Sequence, residues 1–168
     1  MRQLLKWIGL GMVCCIAMSV GMACTEEADC TDANRPMMNV GFFSFVKDTL
    51  PDGYVRDSLV GVAFDTLTVT AFGTDSVIVN KQVHASALTL PLRYAVDTTI
   101  FVLDYSFGYK DTLTLLVHNT PYFLNMDCGY QMKQVITGLS YTNTLLDSVV
   151  IKDPKIGIYG TENLAIYY

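Results

Sequence analysis

The sequence is poor in the residues that most site chemistry needs. It has one tryptophan, Trp7, two histidines, His84 and His118, and five cysteines. A catalytic zinc takes about three ligands of the His, Glu or Cys type. Neither H-x-H nor H-E-x-x-H occurs, so no metal site is expected. A Ser-His-Asp hydrolase holds its serine on a strained elbow beside oxyanion donors. G-x-S-x-G is absent, and His118 beside Asn119 reads as a turn residue. Nucleotide-binding motifs are absent as well, and no cofactor is expected. The eleven basic residues are scattered without a cluster among sixteen acids. A phosphate-tracking protein needs a basic face, so nucleic acid is excluded as a partner, and an anionic membrane surface would repel the chain.

What is present begins with a targeting pattern. Arg2 and Lys6 precede Trp7–Ala23, 17 residues without a charge. That is the layout of a cleaved signal peptide, at the short limit for a spanning helix. Gly9, Gly11 and Gly21 weaken a long stable helix there. Val20-Gly21-Met22-Ala23-Cys24 looks like a lipobox, with Cys24 the lipidated residue, although Gly21 stands where Leu or Val is usual. Plain cleavage after Ala23 is the alternative. Thr25-Glu26-Glu27-Ala28-Asp29 then places three acids in five positions, similar to the acidic tag of surface-exported lipoproteins. The expected organisation is a signal helix over 1–23, an acidic tether over 24–36 and one domain over 37–168. Loss of the signal leaves nine bases against sixteen acids, a balance of −7. Membrane contact is then expected through a palmitate-type lipid anchor in the outer membrane, at the surface or the periplasmic face.

Cysteine spacing fits the same compartment. Cys14 and Cys15 leave with the signal, and Cys24 takes the lipid. Cys30 and Cys128 remain, an even pair in an exported chain, and are expected to form a disulfide. The loop of roughly 100 residues that they close corresponds to about 4–5 kcal/mol in the chain-entropy treatment. The alternative is two free thiols.

From Met37 onward no stretch has a helical period. Asn39–Val46 is rich in aromatic and branched residues, as strands prefer. Leu88, Leu90, Leu92 and Tyr94 alternate with Ala87, Thr89, Pro91 and Arg93, and Pro91 marks an edge strand. Thr112 and Thr114 alternate with Leu113 and Leu115. Leu164, Ile166 and Tyr168 share one face and Ala165 and Tyr167 the other, which puts the last residues inside a sheet. Asp followed by Thr or Ser and an apolar run occurs seven times, at Asp48, Asp57, Asp65, Asp75, Asp97, Asp111 and Asp147. Calcium loops cluster their oxygens around a glycine. Single aspartates read instead as turn residues that bond their own backbone before a strand. Pro51-Asp52-Gly53, Phe72–Asp75, Gly108–Asp111, Tyr159–Glu162 and His118–Pro121 supply further breaks. Eight or nine strands in this length predict an all-β antiparallel sandwich, immunoglobulin-like or similar.

Function is not legible at this level. A non-enzymatic binding or assembly module of the envelope is expected, its partner an envelope protein or a glycan. A glycan-binding accessory is the alternative, with Tyr105 and Tyr109 on the Tyr105–Tyr109 segment as candidate stacking rings. A hydrolase with a carboxylate pair assembled only by the fold is the third. The signal with Cys24, Cys30 before Arg35-Pro36, Phe42-Phe43, Cys128-Gly129 and the final Glu162–Tyr167 together resemble a family of small uncharacterised lipoproteins of Bacteroides-type bacteria. The resemblance implies an envelope β-sandwich and brings no active-site residues.

Overall fold

The computed structural model describes residues 35–51, 53–126, 128–158 and 160–168. The signal segment, Cys24, Cys30 and the tether as far as residue 34 lie outside the described residues. Eleven strands follow in chain order: β1 (Met37–Thr49), β2 (Val55–Gly61), β3 (Phe64–Ala71), β4 (Ser76–Ala85), β5 (Ala87–Pro91), β6 (Thr98–Tyr105), β7 (Lys110–Asn125), β8 (Gly129–Tyr141), β9 (Ser148–Ile151), β10 (Lys155–Ile156) and β11 (Glu162–Tyr167). One sheet runs β2-β1-β11-β9, with β5 also paired to β1; the other runs β10-β8-β7-β6-β3-β4. The two sheets form a β-sandwich, as the alternation predicts. The strand count exceeds eight or nine because several strands are short. β9 has four residues and β10 two, too few for alternation to be legible.

The core lies between the sheets. β6 alternates cleanly, with Thr99, Phe101, Leu103 and Tyr105 buried. Leu113, Leu115 and Val117 do the same on β7. From the other sheet come Met38, Val40 and Phe42 of β1 and Leu88 and Leu90 of β5. Each fully buried side chain of this kind contributes about 1.5–3 kcal/mol. β5 pairs β1 alone, so the edge position that Pro91 marks is the observed one.

Three local expectations are corrected. β1 and β11 pair in parallel, with Phe42 beside Ile166. Antiparallel pairing is forced only by a short hairpin link, and these two are far apart in sequence. His118–Pro121 is no break: β7 runs through it, with His118 opposite Val135 and Pro121 opposite Met132. β6 stops pairing at Leu116, so the rest of β7 has one open edge, where a proline without its N–H is tolerated. The Asp-Thr/Ser rule holds for Asp75, which turns with φ 52°, and for Asp97 and Asp147, which stand just before β6 and β9. Asp48, Asp57 and Asp65 lie inside strands instead, where their exposed side chains cost little. Asp111 is also inside a strand, and it is buried.

Asn163 ties the sheets together. Its Oδ1 accepts the Asn39 N–H at 2.9 Å, and its Nδ2 donates to the carbonyls of Asp153 and Lys155 at 3.1 and 2.9 Å. Lys155 begins β10 of the opposite sheet. Asn163 is buried, so Asn163→Leu strands one N–H and two carbonyls. A loss of about 2–4 kcal/mol is expected in urea unfolding. A loss under about 0.5 kcal/mol would show that water replaces these bonds.

Candidate functional site

Two hairpins leave the sandwich at opposite ends. Phe42 meets Phe64 and Tyr168 edge-on or tilted, and Phe64 meets Tyr105 at the end of β6. β1 therefore points its second half toward the β6–β7 turn. At its other end Pro36 lines a cavity of about 300 Å³ with Tyr122, Leu124 and Ile156. The β7–β8 ribbon, whose turn carries Cys128, is thus beside the point where the chain enters the domain.

The β1–β2 hairpin is an arm. Burial on β1 ends near Ser44, and β2 pairs with β1 alone. Phe45 is 62% exposed, Tyr54 73% and Leu59 50%, and Val46, Leu50, Val55 and Val60 are exposed with them. Phe45 is opposite Leu59, and Ser44 is opposite Val60. Neighbouring residues of a strand face opposite ways, so Phe45 with Leu59 and Val46 with Val60 make both faces of the arm apolar. Phe45 stacks on Tyr167 at 5.4 Å and 12°, which continues the outer face onto the sheet. Charge on the arm is balanced across the pairing: Lys47 is opposite Asp57 and Asp48 opposite Arg56. Scattered exposed apolar side chains are ordinary, but a contiguous group marks a contact surface.

The sequence does contain a signal for the arm. A strand with one buried face alternates polar and apolar residues, whereas Phe45-Val46 and Leu59-Val60 are adjacent apolar pairs flanking Pro51-Asp52-Gly53. Such pairs within a hairpin imply two apolar faces rather than one.

The other candidate residues are dispersed. Cys128 is in the β7–β8 turn, its N–H bonded to Asn125 Oδ1 at 2.7 Å; its expected partner Cys30 is outside the described residues. His84 has a left-handed φ of 51° on β4, far in sequence and pairing from His118 on β7. Among the described residues, no three His, Cys, Asp or Glu side chains gather where they could hold a metal. Tyr105 is buried against Phe64 and Tyr168 rather than at a loop tip, and burial holds its phenol above its ordinary value. Tyr109 is exposed beside Phe107, which is 75% exposed. At the far end Phe123 and Tyr130 are exposed and meet edge-on at 5.2 Å. A polar cavity of about 400 Å³ holds Thr66, Thr68, Lys81 and Asp104, and a smaller one of about 230 Å³ holds Asn39, Thr89 and Glu162.

Asp111 shows what a buried carboxylate does here. It accepts the Thr142 hydroxyl at 2.8 Å and the N–H groups of Thr144, Leu145 and Leu146 at 2.7, 2.9 and 3.3 Å. Burial pushes its carboxyl up, but the Leu145 and Thr144 N–H groups and the Thr142 and Thr144 hydroxyls outweigh that and leave it below the ordinary range. It clasps the loop between β8 and β9, and its geometry is structural. Nothing in the sequence separates it from the other six Asp-Thr/Ser aspartates.

These features define a two-sheet β-sandwich with an apolar arm at one end. The chain belongs to a family of unknown function, DUF6452, whose model matches residues 66–168, from β3 to the end. No curated protein and no solved structure matches it.

Proposed function

We propose that the chain is an exported lipoprotein of the cell envelope, cleaved after Ala23, lipidated on Cys24, and working as a non-enzymatic binding or assembly module. The β1–β2 arm carries this reading, because apolar side chains on both faces of a hairpin outside the core are stable exposure only where a partner covers them. The layout supports it further. The chain enters beside the ribbon at one end and the arm leaves from the other, which suits an anchored base and a reaching contact element. A Cys30–Cys128 disulfide would fasten the tether to that base.

The lipid is tested by metabolic labelling with a palmitate analogue. The wild-type chain is expected to label and Cys24→Ala to stay unlabelled. Equal labelling of the two would contradict lipidation at Cys24. A glycan-binding accessory role has one observation in its favour, the exposed Phe123–Tyr130 pair. Glycan arrays run beside a crosslinking pull-down from the native envelope separate the two. Capture of proteins through the arm supports assembly; glycan binding lost in Tyr130→Ala supports the alternative.

A further inference from the structure

Strands at the edge of a sheet expose unpaired backbone groups, and proteins usually block them. Among the described residues five strands stand last in the pairing of a sheet, and four of them are blocked; the open half of β7 carries Pro121. β5 ends in Pro91. β9 has four residues followed by Lys152-Asp153-Pro154. β10 has two, one of them Lys155. β4 is bent: Lys81 and His84 hold left-handed φ values of 45° and 51°, and its register with β3 shifts. β2 is the least protected of the five. Its seven residues contain no proline and no lysine, its two charges, Arg56 and Asp57, are each opposite a counter-charge on β1, and its register with β1 is unbroken.

The backbone of β2 is oriented for pairing. The Leu50 N–H donates to the Tyr54 carbonyl and the Val62 N–H to the Phe42 carbonyl. Hydrogen-bonded pairs alternate along an antiparallel ladder. The even-numbered residues of β2 therefore turn their N–H and C=O groups toward β1. Those of Val55, Asp57, Leu59 and Gly61 turn to the open edge.

We propose that β2 pairs along this edge with β2 of a second copy of the chain, antiparallel and centred on Leu59. This rests on the arm being the contact element. The strand's own side chains select the register. Centring on Asp57 sets two carboxylates opposite each other, and centring on Ser58 sets each Leu59 opposite an Asp57. Centring on Leu59 sets leucine against leucine and each Asp57 against a Gly61, which has no side chain and open space where a Cβ would be. Phe45 flanks Leu59 in each copy, so one apolar row runs Phe45, Leu59, Leu59, Phe45 across the pair. The whole chain carries a charge of −5, and −7 without residues 1–23, but on the strands of the arm Lys47 offsets Asp57 and Arg56 offsets Asp48, leaving only Asp52 between them in sequence, so two copies can approach along β2. The exposed apolar residues of the arm amount to several hundred Å², against about 300–600 Å² for the largest patch on a typical monomer and about 800 Å² per partner in a stable interface.

Cysteine coupling of the full chain in its envelope tests both partner and register. Opposed Leu59 Cα atoms in this pairing are about 5.5 Å apart, within the roughly 4.4–6.8 Å of a disulfide. Opposed Asp57 residues are offset by four positions, about 13 Å along the strand. After mild oxidation, Leu59→Cys is expected at twice the chain mass on a non-reducing gel, with Asp57→Cys and wild type at single mass. Leu59→Cys remaining at single mass, or Asp57→Cys coupling as readily, would overturn the proposal. Leu59→Cys joined instead to a different protein would overturn the second copy while leaving the arm as the contact element. In sedimentation of the detergent-solubilised full chain, wild type is expected as a dimer and Leu59→Lys as a monomer. A wild-type monomer, or a Leu59→Lys dimer, also overturns it.

Discussion

A chain stopped after Glu162 is expected not to fold. The six residues removed include most of β11, which stands between β1 and β9 in the middle of its sheet. Leu164, Ala165 and Ile166 are fully buried, so both faces of the strand are covered, and Asn163 holds the link to β10. Leu164 and Ile166 alone account for about 1.5–3 kcal/mol each. Two hydrogen-bonded ladders disappear with them, and the Asp147 N–H loses the Tyr167 carbonyl at 2.9 Å. Domain stabilities are about 5–15 kcal/mol, so the truncated chain should show no cooperative thermal transition by circular dichroism. A truncated chain melting within a few degrees of wild type would show that β11 is not the central strand.

Asp111→Ala is expected to destabilise the fold by about 2–4 kcal/mol, since it removes the acceptor from three N–H groups and a hydroxyl, the Leu146 group being fully buried. Asp111→Asn keeps one acceptor oxygen and should lose about half of that. The pH dependence follows from the depressed carboxyl. The unfolded chain titrates this group near the ordinary value of about 3.9. The native state titrates it lower. Its stabilisation is therefore complete above roughly pH 5 and is lost as pH falls through the folded value. Between pH 5 and strong acid, wild type should lose more stability in urea titrations than Asp111→Asn does. Parallel losses in the two proteins would mean that the carboxylate charge is not what holds the β8–β9 loop.

The sandwich was legible because its strands obey period-two burial. Leu113 and Leu115 on β7, Leu88 and Leu90 on β5, and Phe101 and Leu103 on β6 all point inward as alternation requires. The Pro51–Gly53 and Phe72–Asp75 turns were legible from glycine chemistry, and Gly53 and Gly73 do hold left-handed φ values of 83° and 84°. Long-range pairing was not. Nothing local tells β11 to lie parallel to β1, because that choice is made by packing between the two ends of the chain. Asp111 and Asp57 share a dipeptide pattern, yet one is a buried clasp and the other an exposed arm residue, and only the fold distinguishes them. By sequence Tyr105 reads as part of the turn with Phe107 and Tyr109. Its place at the end of β6 turns it inward instead.

The most direct test of the arm as the contact element is site-specific photocrosslinking in the living envelope. A photoreactive residue at Val60 on the arm is compared with one at Val83, which is more exposed but on the bulged β4 edge. Adducts are expected from position 60 and not from position 83, with twice the chain mass if the partner is a second copy. No adduct from position 60, or adducts from position 83 alone, would contradict the role assigned to the arm.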